Sequence, residues 1–372
     1  MARPVTGGAA RQILPARTRD RARDRACDTP PMDGPDPTDA LTLARIEEAA
    51  RFLAGKVERT PMLSSTTAAR VIESTAGARI AGERLHAKAE HLQRTGSYKV
   101  RGATVRIARL SPAEHEAGVI AISAGNHAAA VAVAAGLLGV HAVVVMPETA
   151  VRSKIEACRG YGAEVILAGA DTAQAWAAME QIRDARGLTF LHPFDHLDTI
   201  TGQGTVGLEI VEDLPDVDVV VAGIGGGGMA CGVAAAVKGH RRSARVYGVE
   251  PATSNALALG IAAGTPVPIR PLSVADGLNA PFASDTTIAL GRRLLDDIVL
   301  LEDAEILAGL RFAAERMKQV LEPAGAAALA AVLLGRVPIR DGERVCVVLS
   351  GGNVDLARFG ELIAAAVPLP GA

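Results

Sequence analysis

Lysine is scarce in this chain. Lys56, Lys88, Lys99, Lys154, Lys238 and Lys318 are the only lysines among 39 Lys and Arg residues. Arginine therefore does the ordinary solvating work, and each lysine is a candidate for chemistry that arginine cannot do. An amine can lose its proton and attack a carbonyl; a guanidinium cannot. Lys99 follows a Thr95-Gly96-Ser97 turn and Tyr98, and Val100-Arg101-Gly102-Ala103 comes next. That order predicts a helix beginning at the lysine. The positive end of a helix disfavours an ammonium and lowers the amine pKa, which suits a nucleophile toward a carbonyl. On spacing alone, an exposed lysine in a basic helix with Arg101 and Arg106 is the simpler account.

Other segments carry comparable signals. Gly223-Ile-Gly-Gly-Gly-Gly228 follows a run of valines and precedes an Ala-rich stretch. Successive glycine N–H groups ahead of a helix N-terminus form a phosphate cradle. Gly223, Gly225 and Gly228 also satisfy a GxGxxG pattern, with Glu250 about twenty residues on, as a nicotinamide dinucleotide site requires. Ser123-Ala-Gly-Asn-His-Ala128 reads as a capped strand-to-helix turn whose N–H groups suit a carboxylate. Ser350-Gly-Gly-Asn353 places a hydroxyl where α/β proteins bind ligands, past the C-terminal end of a strand. Each of the last two is, by itself, equally a plain capped turn.

These segments need a scaffold, and the flanking pattern supplies one. Val119–Ser123, His141–Met146, Ala163–Leu167, Thr189–His192, Val217–Ala222, Arg245–Val249 and Val345–Leu349 read as strands. Helical periodicity marks Leu41–Leu53 (capped by Thr38 or Asp39), His127–Leu138, Val151–Gly160, Thr172–Arg186 and Gly204–Glu212. It also marks Met229–Lys238, Glu305–Leu321, Ala324–Leu333 and Asp355–Ala366. Continuous Val/Ile strands alternating with Ala-rich helices predict parallel sheets covered on both faces. The units are too many for one ordinary sheet. The expected fold class is α/β, with two open twisted parallel-sheet domains and a cleft between them.

Composition narrows the function. The chain has 372 residues, 49% hydrophobic and 22% charged, with a formal net charge of −2. It can bury a core, and it carries no electrostatic footprint for nucleic acid or an acidic membrane surface. Aromatics are only 3%, too few for base stacking. No apolar run reaches membrane-spanning length. Cys27, Cys158, Cys231 and Cys346 form no CxxC pair, which fits thiols in a reducing cytosol. Residues 1–36, rich in Arg, Pro, Gly and Asp, read as a disordered tail without a secretory signal, and Met32 is a possible natural start. The expected location is cytoplasmic.

Taken together and in order, the motifs resemble the fold-type II pyridoxal-phosphate enzymes, in the threonine/serine dehydratase and serine racemase branch. The resemblance runs from about Ala40 to Leu356, and Thr95–Ala103 matches the branch's lysine signature, with Tyr98 where Phe is more usual. It implies pyridoxal 5'-phosphate as cofactor, bonded through its aldehyde to Lys99. Gly225, Gly226, Gly227, Gly228 and Met229 would cradle the phosphate, which favours the phosphate cup over the nicotinamide site. Asn126 would contact the ring oxygen, Ser350 would face the pyridine nitrogen, and Tyr98 would lie against the ring. Ser123, Ala124, Gly125, Asn126 and His127 would bind the substrate carboxylate. Glu322 and Asp276 match further cleft positions.

The resemblance also implies a large cofactor-binding domain (37–111 and 197–372), a small mobile domain (112–196), and a homodimer or homotetramer. Departures sharpen the expectation. Serine racemases have a second serine where this chain has Ala124, and a methyl group carries no proton, so two-base racemisation loses one base. The expected activity is therefore α,β-elimination of water from L-threonine or L-serine. The alternatives are another β-hydroxy amino acid (3-hydroxyaspartate or a hydroxyectoine-pathway compound), serine racemisation, or, from a different class, a nicotinamide oxidoreductase. Ala129 stands where Gln is usual. Glu250 matches an acidic ligand of the family's cation site, but Ala256 falls where a second acid would sit, which leaves a monovalent or divalent cation few oxygens. An isoleucine-sensing regulatory domain is not expected.

Overall fold

A computed structural model describes residues 37–369. The expected tail, 1–36, lies outside the described residues. Among the described residues, ten strands form two sheets. They are β1 (Met62–Ser65), β2 (Leu85–Lys88), β3 (Val119–Ile122), β4 (Ala142–Met146), β5 (Glu164–Leu167), β6 (Thr189–Phe190), β7 (Val219–Gly223), β8 (Arg245–Pro251), β9 (Asp297–Leu301) and β10 (Val345–Val348). The larger sheet has the order β1-β2-β10-β7-β8-β9 and the smaller the order β5-β4-β3-β6. Every pairing is parallel except β1 with β2.

Alternation along the central strands explains why both sheets are covered twice. Val219, Val221, Val345 and Val347 enter one buried cluster, whereas Val220, Ala222, Cys346 and Val348 enter the cluster on the opposite face. In the smaller sheet, Val144 and Met146 face one layer while Val143 and Val145 face the other. A side chain every second residue on each face, all apolar, is the signature of a doubly covered parallel sheet.

Several helices are built of small residues and pack closely. Every residue of Pro323–Leu333 is buried, from Pro323 through a run of alanines. The helix Lys99–Ala108 docks against Leu197–Asp213 backbone to backbone: a Cβ on Gly202 would lie 2.7 Å from the Arg101 carbonyl oxygen. This contact sets the height of the helix that begins with Lys99.

Some boundaries differ from the sequence reading. The first helix is Leu43–Leu53, and its cap is Thr42, whose side chain accepts from the Arg45 N–H. The helix expected at Gly204 begins at Leu197, where the His196 side chain accepts the Asp198 N–H. The helix expected over Glu305–Leu321 is Asp303–Phe312, followed by a wide turn (Ala313–Met317) and Lys318 at φ +60°. The strands β1, β2 and β9 and the helices Thr66–Ala76, Ala256–Ala263 and Asp285–Leu294 were not anticipated.

Candidate active site

The strand ends deliver the chemistry. Gly223 ends β7 and Ser350 follows β10, and these strands are hydrogen-bonded neighbours although far apart in sequence. Ser123 follows β3 in the smaller sheet. Their loops open on a cavity of about 480 Å³ that also receives Lys99. Tyr98, Lys99, Ser123, Ala124, Gly125, Asn126, His127, Gly225, Gly226, Gly227, Gly228, Met229, Glu322 and Ser350 all line it, as does Asp276.

Lys99 is the first residue of its helix. Its Nζ donates to the Pro193 carbonyl at 2.9 Å and sits 5.2 Å from the Tyr98 ring centroid. Two imidazoles stand near this amine, and both are held neutral. Burial, seconded by the Lys99 charge, brings His127 down to about 3, and its Nε2 lies 2.8 Å from the Leu191 carbonyl oxygen. Burial likewise brings His192 down to about 4, and its Nδ1 accepts the Asp195 N–H at 2.8 Å. Between Glu322 and the amide of Asn126, Nδ2 donates to Oε1 at 2.6 Å. Burial raises the Glu322 carboxyl to about 7, with neighbouring Asp276 pushing the same way and the Asn126 hydrogen bond opposing.

The glycine loop is shaped to keep side chains away. Gly227 caps the helix Gly228–His240 at φ +94°. A Cβ on Gly226 would lie 2.4 Å from three ring atoms of Phe194. The first N–H groups of that helix, from Gly228 and Met229, have no partner within it, so the loop presents donors and positive dipole to the cavity. Ser350 is 4% exposed and its Oγ donates to the Ala324 carbonyl at 3.4 Å. No carboxylate occupies that position.

This is the donor set that a phosphorylated, carbonyl-bearing cofactor fits: a primary amine, a side-chain-free loop of N–H groups, and a neutral hydroxyl. The sequence pattern of the family described as "Pyridoxal-phosphate dependent enzyme" matches residues 56–351. The chain belongs to this family.

Relatives of this pyridoxal-phosphate enzyme agree over nearly its whole length. It is 43% identical to a putative threonine dehydratase of Sinorhizobium fredii, over 87% of this chain and 95% of the relative. It is 39% identical to the L-threonine ammonia-lyase of Thermotoga maritima, over 87% of this chain and 78% of that one. Among solved structures, maize serine racemase superposes with a TM-score of 0.79 at 34% identity, covering 87% of this chain and 97% of that one.

The residue of the pyridoxal-phosphate enzyme named for a cation, Glu250, lies apart from the cleft lining. Glu250, in β8, is fully buried and caps the helix Ala256–Ala263. Its two oxygens accept the N–H groups of Leu257 and Ala258, each at 2.9 Å. Burial raises this carboxyl to about 8 against those two bonds. Each oxygen thus carries one backbone hydrogen bond, and among the described residues no group of three or more His, Cys, Asp or Glu is placed to hold a metal ion.

The cleft also holds residues the sequence reading passed over. Pro193 and Phe194 form one wall, and Lys154 and the Asn279–Pro281 stretch line the rim. Phe194 had a usable signal: it is one of six phenylalanines and lies between two histidines in His192-Pro-Phe-Asp-His196. Lys154 forms a long ion pair of 4.0 Å with Asp276, which no local pattern foretells.

Proposed function

We propose that this protein is a threonine/serine ammonia-lyase, which removes water from L-threonine or L-serine and releases 2-oxobutanoate or pyruvate with ammonia. The observation that carries this reading is the make-up of the cleft. Lys99 and Ala124 both line it, and Ala124 stands where the resemblance gives serine racemases a second serine. One base supports elimination; racemisation by two opposed bases needs another. The names of the relatives at 39% and 43% identity point the same way.

In this reading Gly225 to Met229 hold the cofactor phosphate, Asn126 binds the ring oxygen, Ser350 faces the pyridine nitrogen and Tyr98 packs on the ring. The N–H groups of Ser123–His127, at the start of the helix Asn126–Leu138, bind the substrate carboxylate. The cofactor, when bound, supplies the electron sink for the carbanion. Lys99 Nζ takes the Cα proton of the substrate. His127 and His192, held neutral, add no positive charge beside that amine. The water lost at Cβ is regained in the hydrolysis that frees ammonia, so the net change is threonine to 2-oxobutanoate plus ammonia. Residues 112–196, which contain the smaller sheet, would close over the cleft and exclude water. A homodimer or homotetramer in the cytoplasm belongs to the same reading, and light scattering tests the assembly.

The deciding experiment is keto-acid release by purified protein supplied with pyridoxal phosphate. Release from L-threonine, abolished together with the visible absorption of lysine-bound cofactor in Lys99→Ala, supports the reading. Visible absorption without release from threonine or serine sends the search to other β-hydroxy amino acids, and an active Lys99→Ala overturns it.

A further inference from the structure

The loop after β10 contributes more than Ser350. Asn353 Nδ2 donates to the Thr95 carbonyl at 2.5 Å and to Asn126 Oδ1 at 2.8 Å. Asn126 Nδ2 in turn donates to Glu322 Oε1 at 2.6 Å. The direction of this chain is set at one end. A backbone carbonyl only accepts, so the amide nitrogen of Asn353, not its oxygen, must face Thr95. The second hydrogen on that nitrogen then faces Asn126, which must answer with its oxygen. The nitrogen of Asn126 is left pointing at Glu322 and into the cleft. An Asn side chain without such partners has two orientations of similar energy, and only one presents a donor.

The backbone is shaped around these contacts. Thr95 holds φ +66°, a left-handed conformation that is strained for a β-branched residue and persists only where its surroundings demand it. A Cβ on Gly96 would lie 2.2 Å from Asn353 Oδ1, and one on Gly351 would lie 2.3 Å from Glu322 Oε1. Two glycines thus make room for the two side chains that flank Asn126. The contacts also join three separate segments: the turn before Lys99, the start of the helix Asn126–Leu138, and the loop after β10.

We infer that Asn353 is a positioning residue, which fixes the amide of Asn126 so that its N–H group faces the cofactor's ring oxygen. The inference rests on the reading that Asn126 touches the cofactor. Asn353 itself is exposed, so its contribution passes through Asn126 and not through contact with the ring.

A double-mutant cycle on cofactor affinity tests this, measured by equilibrium dialysis with pyridoxal phosphate and by the visible absorption band of the loaded protein. Asn353→Ala should weaken binding about fivefold, the worth of one ordinary hydrogen bond, and shift the band. In an Asn126→Ala background the same change should have no further effect on either. Asn353→Asp, nearly identical in shape but unable to donate, should behave like Asn353→Ala and not like the parent. Additive losses, or an Asp variant that binds as the parent does, overturn the inference. If Asn126→Ala alone leaves affinity unchanged, the Asn126 contact is wrong and the inference falls with it. If Asn126→Ala weakens binding while Asn353→Ala does not, only the inference falls.

Discussion

Replacing Arg101 by alanine tests how the helix bearing Lys99 is held. Arg101 is 1% exposed, and its guanidinium reaches both oxygens of Glu90 (2.8 and 2.8 Å) and both oxygens of Glu209 (2.6 and 3.0 Å). It also reaches Thr205 Oγ1 and the Glu58 carbonyl. Burial works to lower the Arg101 pKa, and the two carboxylates more than offset it. Summing these charge-assisted bonds at about 1.5–3 kcal/mol each would overshoot, because desolvating the ions cancels most of the gain. The better measure is what remains after the deletion. Glu209 keeps Lys88, whose Nζ is 2.6 Å away. Glu90, 0% exposed, keeps only the Thr60 hydroxyl at 2.5 Å. A buried carboxylate stripped of its cation costs about 3–5 kcal/mol. Equilibrium urea unfolding of the cofactor-free protein should show that loss, and adding Glu90→Gln should return about half of it, because the stranded charge is gone. A loss below about 1 kcal/mol, the worth of a surface ion pair, would refute the claim that this network anchors the helix.

Other consequences are measurable. Gly226→Ala drives a methyl group into the Phe194 ring and should lower cofactor affinity at least tenfold at a stability cost of about 1–3 kcal/mol; Phe194→Ala in the same chain should relieve part of that cost in urea unfolding. Glu322, raised from 4.5 to about 7, binds its proton more tightly folded than unfolded, so its contribution to stability is present at pH 4.5 and lost as pH rises through 7. That loss is about 3 kcal/mol, and urea midpoints of cofactor-free Glu322→Gln should vary less with pH across this window than those of the parent. Burial raises the thiols of Cys158 to about 11 and of Cys231 and Cys346 to about 12. Mass spectrometry after brief exposure to a thiol reagent should therefore find these cysteines unmodified until urea unfolds the chain.

The site was more legible in the sequence than the sheets that carry it. Lys99, the glycine run, Ser123–His127 and Ser350 each stand at a strand end or helix start, where composition changes abruptly within a few residues. What the sequence could not show was that β10 lies beside β7, since that pairing depends on the whole larger sheet. β2 escaped notice because Leu-His-Ala-Lys reads as surface; Lys88 is fully buried only because Glu209, from a distant helix, neutralises it. The helix read from Gly204 begins instead at Leu197, and Gly202 within that added stretch is what admits the backbone of Arg101. The periodicity beyond Phe312 continued to look helical, and only the left-handed Lys318 turns the chain so that Glu322 enters the cleft. Glu250 was named through the family resemblance as a cation ligand, and nothing in the sequence signalled that its two oxygens also accept the N–H groups of Leu257 and Ala258 in the next helix.

The aromatic residues near the cleft form a ladder. Phe194 is 4.5 Å from His192, which is 5.8 Å from Phe190, which is 5.5 Å from Trp176, all edge to face. Trp176 is the chain's one tryptophan, 38% exposed on the helix Thr172–Arg186 that covers the smaller sheet. Its emission therefore comes from a single known site, on the body that carries Ser123–His127. A coloured cofactor in the cleft would accept energy from that indole, with an efficiency that falls steeply as the two separate. The protein thus carries its own donor and, once loaded, its own acceptor, and the spacing of the smaller sheet from the cofactor can be followed in solution without attaching a dye.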